Sequence, residues 1–428
     1  MQTSVKPKIA ILSLRNTYNY GGVLSCLKTA YKFCEHYFEP RVFFLGFEPE
    51  VATKLRSLKF TSAVKPLSHF GMNSVEVGTR WSFWEPGHYV FTGQAWQELL
   101  KDYDYFLVVS GTCLAAHPLI VLNKKFVLWI GTPYDEDRQE RVKQLHGIRA
   151  LINAAEHPWM NMIERKILTK ANFILGISTY ALAKFEKIIG HPRKNMLLCS
   201  YPLDGIKATT NMPRSDEKII LAVGRFSDPR KNLPMLLRVF EKIWHHLPTT
   251  KLYIVGMKPS PIIMKNFENH SSMRNVIFTG QIASEDLYAL YSRAHLLLIT
   301  SYQEGLGIVG LESLLNGTPV IATDCGGTRD YVINDLTGYL VAINDDNAMA
   351  LQAEKILTNP ELGQKLSNNG REFIEKNFSR NTSYTLFKHG LCSVYPELTA
   401  WFEKCDNKHP STTSHTSYST NYQDQDAV

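Results

Sequence analysis

At 428 residues, 44% of them hydrophobic, the chain is too long for one small core and fits two or three ordinary globular domains. Its seven cysteines are odd in number and scattered with no C-x-x-C, which argues against a disulfide or zinc framework and for free thiols in a reducing compartment. The net charge of +7 sits in the first half, where residues 1–205 carry 25 Lys and Arg against 17 Asp and Glu, while 206–428 carry 22 against 23; with no dense basic block or binding motif, nucleic acid is not an expected partner, and an anionic membrane surface or an anionic acceptor fits as well as a plain soluble face.

The first eight residues lead into a short apolar run, 9–14, which Arg15 cuts too early for a signal peptide. No stretch reaches about 18 apolar residues, so no membrane span is expected and the chain is placed in the cytoplasm. Strands are predicted at 8–14, 41–45, 105–109, 126–130 and 173–176, with a helix over 23–36. Tyr20-Gly21-Gly22-Val23 joins the first strand to that helix. The double glycine does not complete a G-x-G-x-x-G fingerprint, nor does any other segment, which argues against a dehydrogenase. The run Arg80-Trp81-Ser-Phe83-Trp84-Glu85-Pro-Gly-His88-Tyr89 could line an acceptor pocket or fill a buried corner. Asp102-Tyr-Asp104 and Asp135-Glu-Asp137 mimic an Asp-x-Asp metal motif, but no further ligand types stand at recognisable spacing, so both are read as surface charge and no metal is expected. His117 follows the strand at 105–109; a lone histidine more often satisfies its own fold than touches a ligand.

The second half alternates in the same way. Strands are predicted at 218–223, 251–255, 276–278, 295–300 and 320–323, and helices near 232–246, 284–294, 307–316, 346–358 and 361–376, the pattern of a parallel α/β sheet. Gly224-Arg225 ends the first of these strands, and Arg230-Lys231-Asn232 opens the next helix. An Arg fork or a Lys point charge at the carboxyl end of a strand suits phosphate oxygens. Thr279-Gly280 follows another of these strands. Then comes Ser301-Tyr-Gln-Glu304-Gly305-Leu306-Gly307-Ile308-Val309-Gly-Leu-Glu312, followed by Asn316-Gly-Thr-Pro-Val and Asp324-Cys-Gly-Gly. Gly305 and Gly307 let backbone approach a ligand, and the helix that follows offers free N–H groups to a phosphate. Glu312, one or two turns in, can accept hydrogen bonds from sugar hydroxyls. Phosphate and hydroxyls together are what a sugar nucleotide presents.

With Glu304 and Glu312 separated by seven residues, and with Ser301 and Gly317-Thr-Pro-Val flanking them in order, the sequence resembles the donor site of family 4 glycosyltransferases. The resemblance implies a retaining enzyme of α/β class with the GT-B fold, two Rossmann-like doubly wound domains facing each other across a cleft. It implies that Arg225 and Lys231 hold the donor diphosphate, with Arg230 able to share that role, and that Glu304 sits by the donor sugar. Ser301, Gly305, Leu306, Gly307, Ile308, Val309 and Glu312 line the donor, Thr279 and Gly280 lie beside its base, and Gly21 and Gly22 face it from the first domain. Ile130, in Trp129-Ile130-Gly131-Thr132, stands where family members often carry a histidine that contacts the sugar.

The expected domains are 1–204 on the acceptor side, 205–378 binding the nucleotide sugar, and a helical return at 379–404, with a hinge inside 202–215. From 405 the composition is polar and predicts a disordered tail to 428. The expected activity is transfer from a UDP- or GDP-sugar to a sugar or lipid-linked acceptor, without cofactor or metal, in glycan or glycolipid synthesis, in the cytoplasm with room for peripheral contact at the inner membrane face. The alternatives are a same-fold epimerase or phosphorylase, or a non-catalytic sugar-nucleotide-binding subunit.

Overall fold

Apolar runs too short for helices, each followed by an amphipathic helix, build two sheets. The computed structural model describes residues 5–15, 22–46, 64–69, 71–79, 85, 94–203, 217–259 and 261–408. Gly21, most of the aromatic run and of the expected hinge, and the tail beyond 408 lie outside the described residues.

The first sheet holds β1 (Lys8–Leu14), β2 (Glu39–Gly46), β3 (Val64–His69), β4 (Met72–Gly78), β5 (Tyr105–Ser110), β6 (Val127–Ile130), β7 (Phe173–Gly176) and β8 (Met196–Leu198), in the order β3-β4-β2-β1-β5-β6-β7-β8. All neighbours are parallel except β3 and β4. The second sheet is wholly parallel and holds β9 (Ile219–Val223), β10 (Lys251–Val255), β11 (Val276–Gly280), β12 (Leu296–Ile299), β13 (Val320–Thr323) and β14 (Gly338–Val341), in the order β11-β10-β9-β12-β13-β14. These are two Rossmann-like doubly wound domains, as expected. The chain reverses its direction of winding between β1 and β5 in one sheet and between β9 and β12 in the other. Ligands of open α/β sheets bind outside the carboxyl ends of strands at such switch points.

Parallel strands covered by helices on both faces read as continuous apolar runs. Ile9, Ala10, Ile11 and Leu12 of β1 are all fully buried; Ala10 and Leu12 feed one core, Ile9 and Ile11 the other. Strand β9 does the same with Ile220 and Ala222 on one face and Ile219 and Leu221 on the opposite one.

After the second domain the chain returns to the first. The Leu203 amide donates to the Phe378 carbonyl (3.1 Å), which ties the two crossings together. Helices Arg380–Val394 and Leu398–Lys408 then place Phe387, Leu391, Val394, Leu398 and Phe402 in the same core as Ile9, Phe33 and Trp129. Cys405 to Lys408 are therefore helical and not part of a disordered tail. Helices Tyr134–Val142, Ile148–Lys170 and Thr179–Ile189 were not among those predicted. Among the described residues no helix is long and apolar enough to cross a membrane.

Candidate active site

The carboxyl end of β9 is the first piece of the site. The Gly224 amide donates to the Val255 carbonyl (2.9 Å), so the turn rests on the end of β10. Gly256 there has φ +121°, and a Cβ on it would collide with the Gly224 carbonyl; only glycine fits. A Cβ on Gly224 would in turn meet Cε of Lys231 at 3.3 Å, so the Lys231 stem lies along this turn. Lys231 is held there by a short 3-10 turn, Pro229–Lys231, which Asp228 caps by accepting from the Arg230 amide at 3.1 Å. Arg225 reaches outward, 39% exposed, with Asp228 3.8 Å away.

Strand β12 delivers the second piece. The Thr300 hydroxyl donates to the Lys231 carbonyl (3.0 Å) and the Tyr302 amide to the Arg230 carbonyl (2.8 Å), which stitches the loop 301–307 to the basic turn. From the other side the Glu304 amide donates to the Cys325 carbonyl (2.8 Å), and the Glu304 carbonyl accepts from the Gly327 amide (2.9 Å). Asp324-Cys-Gly-Gly is thus the floor behind the loop. Glu304 accepts from the Lys231 ammonium at 2.5 Å and from the Ser301 hydroxyl at 2.6 Å. Burial alone would raise this carboxyl; Lys231 and Ser301 outweigh it and hold the acid below its ordinary range.

Gly307, at φ +78° and ψ 55°, turns the chain into helix Ile308–Leu315, and no side chain caps the first N–H groups of that helix. The Gly310 N–H turns back to the Gly307 carbonyl (2.8 Å), and among the described residues those of Ile308 and Val309 are left for a ligand or water. The Tyr331 hydroxyl donates to the Gly307 carbonyl (2.8 Å) and pins the turn from behind. One turn on, Glu312 accepts from the Tyr291 hydroxyl (3.2 Å). Burial pushes its carboxyl up to about 7, against the Tyr291 bond, yet part of its surface stays open. Leu306 is 2% exposed and packs into the second core, so its side chain does not line the donor site. Thr279 and Gly280 end the edge strand β11; the Gly280 carbonyl accepts from the Gly256 amide (2.9 Å), which connects them to the Gly224 turn.

The first domain meets this loop directly. A Cβ on Gly22 would meet Ile308 at 2.7 Å, and a Cβ on Gly305 would meet Thr132 at 2.8 Å and the Gly131 carbonyl at 3.4 Å. Further out, the Thr179 amide donates to Asp330 (2.9 Å) across the same boundary. The structure therefore brings Arg225, Lys231, Ser301, Glu304, Gly305, Gly307 and Gly22 to one place. It does not bring His117, which starts helix His117–Val121 inside the first domain; burial and then Lys166 push its imidazole down to about 4. Ile130 is fully buried at the end of β6, and Gly131 and Thr132 beyond it face the donor loop.

Two more expectations change. Arg230 is not available to share a phosphate: it is spent on Asp228 (2.8 Å) and Asp137 (2.7 Å), which hold its guanidinium above the ordinary range although burial opposes its charge. Asp135-Glu-Asp137 is likewise not plain surface charge. Asp137 bonds Arg230 between the domains, Glu136 bonds Tyr180 and Lys184, and Asp135 pairs with His157. The sequence pointed to neither Thr132 nor Asp137 as a site group; a Gly-Thr after a strand end was the one available signal for the former.

Residues 209–373 match the family described as glycosyl transferases group 1. An uncharacterized glycosyltransferase of Bacillus subtilis, YqgM, is 23% identical over 238 residues, 54% of this chain and 65% of that relative's own length, so the chain spans less than two thirds of it. The sucrose-phosphate synthase of Thermosynechococcus elongatus superposes with a TM-score of 0.69 at 22% identity, covering 92% of this chain and all (100%) of that one. The Anabaena protein HepE, in complex with UDP, does so at 0.68 and 13% identity over 90% of this chain and 100% of its own. At these identities the structural likenesses show the fold, which is GT-B.

Proposed function

We propose that this chain, whose residues 209–373 match the glycosyl transferases group 1, moves a sugar from a nucleoside-diphosphate donor to an acceptor hydroxyl with retention at the anomeric carbon. One observation carries the reading: a lysine, a buried acid and an uncapped helix end meet at the switch point of the second sheet, within contact of the first-domain loops. The donor is a UDP- or GDP-sugar; the UDP held by the Anabaena protein supports the former. As the bond from the anomeric carbon to the diphosphate oxygen breaks, negative charge grows on that oxygen. In this reading Arg225, Lys231 and the Ile308 and Val309 N–H groups meet that charge and stabilise the transition state more than the ground state, with no metal called on. The acceptor hydroxyl bonds to the same face of the carbon and passes its proton to the departing phosphate oxygen. Glu304 orients Lys231 and the sugar, and Glu312 accepts from ribose or sugar hydroxyls. A sugar or lipid-linked acceptor, and a chain resting at the inner membrane face, fit the positive surplus of the first half.

The test is a screen of UDP- and GDP-sugars for released nucleoside diphosphate, with and without cell extract as acceptor source. Lys231→Ala and Arg225→Ala should each lower turnover by roughly 10²–10³-fold, as for loss of one preorganised charge donor. Unchanged turnover in both overturns the assignment. Tight nucleotide binding with no release points instead to a binding subunit, and a requirement for free phosphate to a phosphorylase.

A further inference from the structure

Helix Ile148–Lys170 is seated on one side only. Met160, Ile163, Glu164, Ile167 and Leu168 are buried against the first domain. On the other side Ile148, Leu151, Ile152, Trp159 and Met162 are 75%, 72%, 48%, 52% and 58% exposed. Positions 148, 151, 152, 155, 159 and 162 recur at intervals of three and four, so with Ala155 they form one stripe along the helix. Scattered surface apolar residues are ordinary; a continuous row about 20 Å long is a binding surface. The same stripe runs on into Lys166 and Lys170, with Arg165 beside them and Arg149 at the other end. The exposed residues of this helix include those four cations and no Asp or Glu: Glu156 is half-buried and Glu164 buried.

We propose that this face docks the chain on an anionic phospholipid bilayer. The helix lies in the plane of the interface with its apolar stripe at the acyl boundary and Arg149, Arg165, Lys166 and Lys170 on headgroup phosphates. The charge pattern selects this occupant over a second copy of the chain. Two such helices packed antiparallel would set Arg149 of each against Lys166 and Lys170 of the other, and packed parallel each cation would face itself, so self-pairing is opposed at both ends. Trp159 adds a side chain suited to the water–lipid boundary. Helix Tyr134–Val142 precedes this one and bonds Arg230 through Asp137, so docking brings the first-domain side of the cleft to the membrane. The proposal does not depend on sugar transfer and is read without it.

The experiment is co-sedimentation of the full chain with vesicles of phosphatidylcholine alone and of phosphatidylcholine mixed with phosphatidylglycerol. The parent should bind the mixed vesicles at least about 10-fold more than the neutral ones, and less as salt is raised. L151E and W159E should each lose about 10-fold or more of that binding, and the double variant K166E/K170E should lose the preference for phosphatidylglycerol, all with unfolding midpoints within a degree or two of the parent because these side chains are exposed. Equal binding of parent and L151E overturns the proposal, as does equal binding to neutral and anionic vesicles. A parent that elutes as a dimer, dissociated by L151E and indifferent to vesicles, overturns it in favour of a second copy.

Discussion

Lys231 and Glu304 neutralise each other, and Ser301 supports the acid. Among the described residues no such cation faces Glu312: its carboxyl accepts from the neutral Tyr291 hydroxyl. Burial raises its carboxyl from 4.5 to about 7, a difference of ~3 kcal/mol between charged and neutral forms at the outside. Because the folded value is the higher one, the stability this group contributes is complete below pH 4.5 and lost as pH climbs through about 7. Glu312→Gln should therefore gain on the parent by up to ~3 kcal/mol between pH 4 and pH 8, as measured by urea denaturation at both. A gap that does not move with pH would mean the acid is ionised throughout. Donor hydroxyls that bond the carboxylate favour its charged form, so nucleotide-sugar binding at pH 6.5 should expel a proton. Calorimetry in buffers of different ionisation enthalpy reads that proton directly, and Glu312→Gln should abolish it.

At the scale of elements, the site is made by turns that only glycine permits. Gly307 takes a left-handed conformation at φ +78°, and Gly310, in the helix behind it, lies under the Tyr331 ring. A Cβ on Gly310 would stand 2.5 Å from Cε2 and 2.7 Å from Cζ of Tyr331, whose hydroxyl holds Gly307. Gly310→Ala should cost ~1–3 kcal/mol by overpacking and should also weaken nucleotide binding, because Tyr331 must release the turn to make room. A variant of parental stability and affinity would show that this backing is slack. The donor loop was legible in the sequence because its glycines and acids are local, close together and ordered. The surfaces opposite it were not. Asp137 finds Arg230 from 93 positions away, and Gly131-Thr132 becomes a site group only when two domains meet. Two of the missed strands have a simpler cause. The edge pair β3 and β4 carries Lys65, Pro66, Asn73, Ser74 and Glu76 where an apolar run was sought, with Glu76 buried against Arg15.

On the scale of the whole molecule, the chain passes from the first domain to the second and comes back to finish the first. The returning helices are structural parts of the first domain's core: Phe387 is 1% exposed, its ring 4.7 Å from that of Trp129 and 5.2 Å from that of Phe33. Tyr395 accepts from the Phe106 amide (3.2 Å) and donates to the Lys125 carbonyl (2.6 Å), which fastens the strap to β5 and to the turn that leads into β6. Lys388 pairs with Asp406 (2.6 Å) and the Trp401 indole donates to the Tyr37 carbonyl (2.9 Å), which closes the far end. Phe387→Ala should therefore cost ~3–5 kcal/mol, the toll of a large aromatic removed from a closed core. The loss should appear in the first domain, although the residue lies beyond the whole of the second. Near-ultraviolet circular dichroism, which reports the packing of Trp129 and its neighbours, should collapse at lower urea than in the parent. The heat of nucleotide binding to the second domain should persist to higher urea than that collapse. Ending the chain at Phe378 is the severer form of the same test: it bares the face of β6 and β7 that carries Val127, Trp129 and Phe173, and the product should be aggregated or loosely packed. A truncated chain that stays monomeric with native near-ultraviolet signal would show that the first domain closes its core without the return.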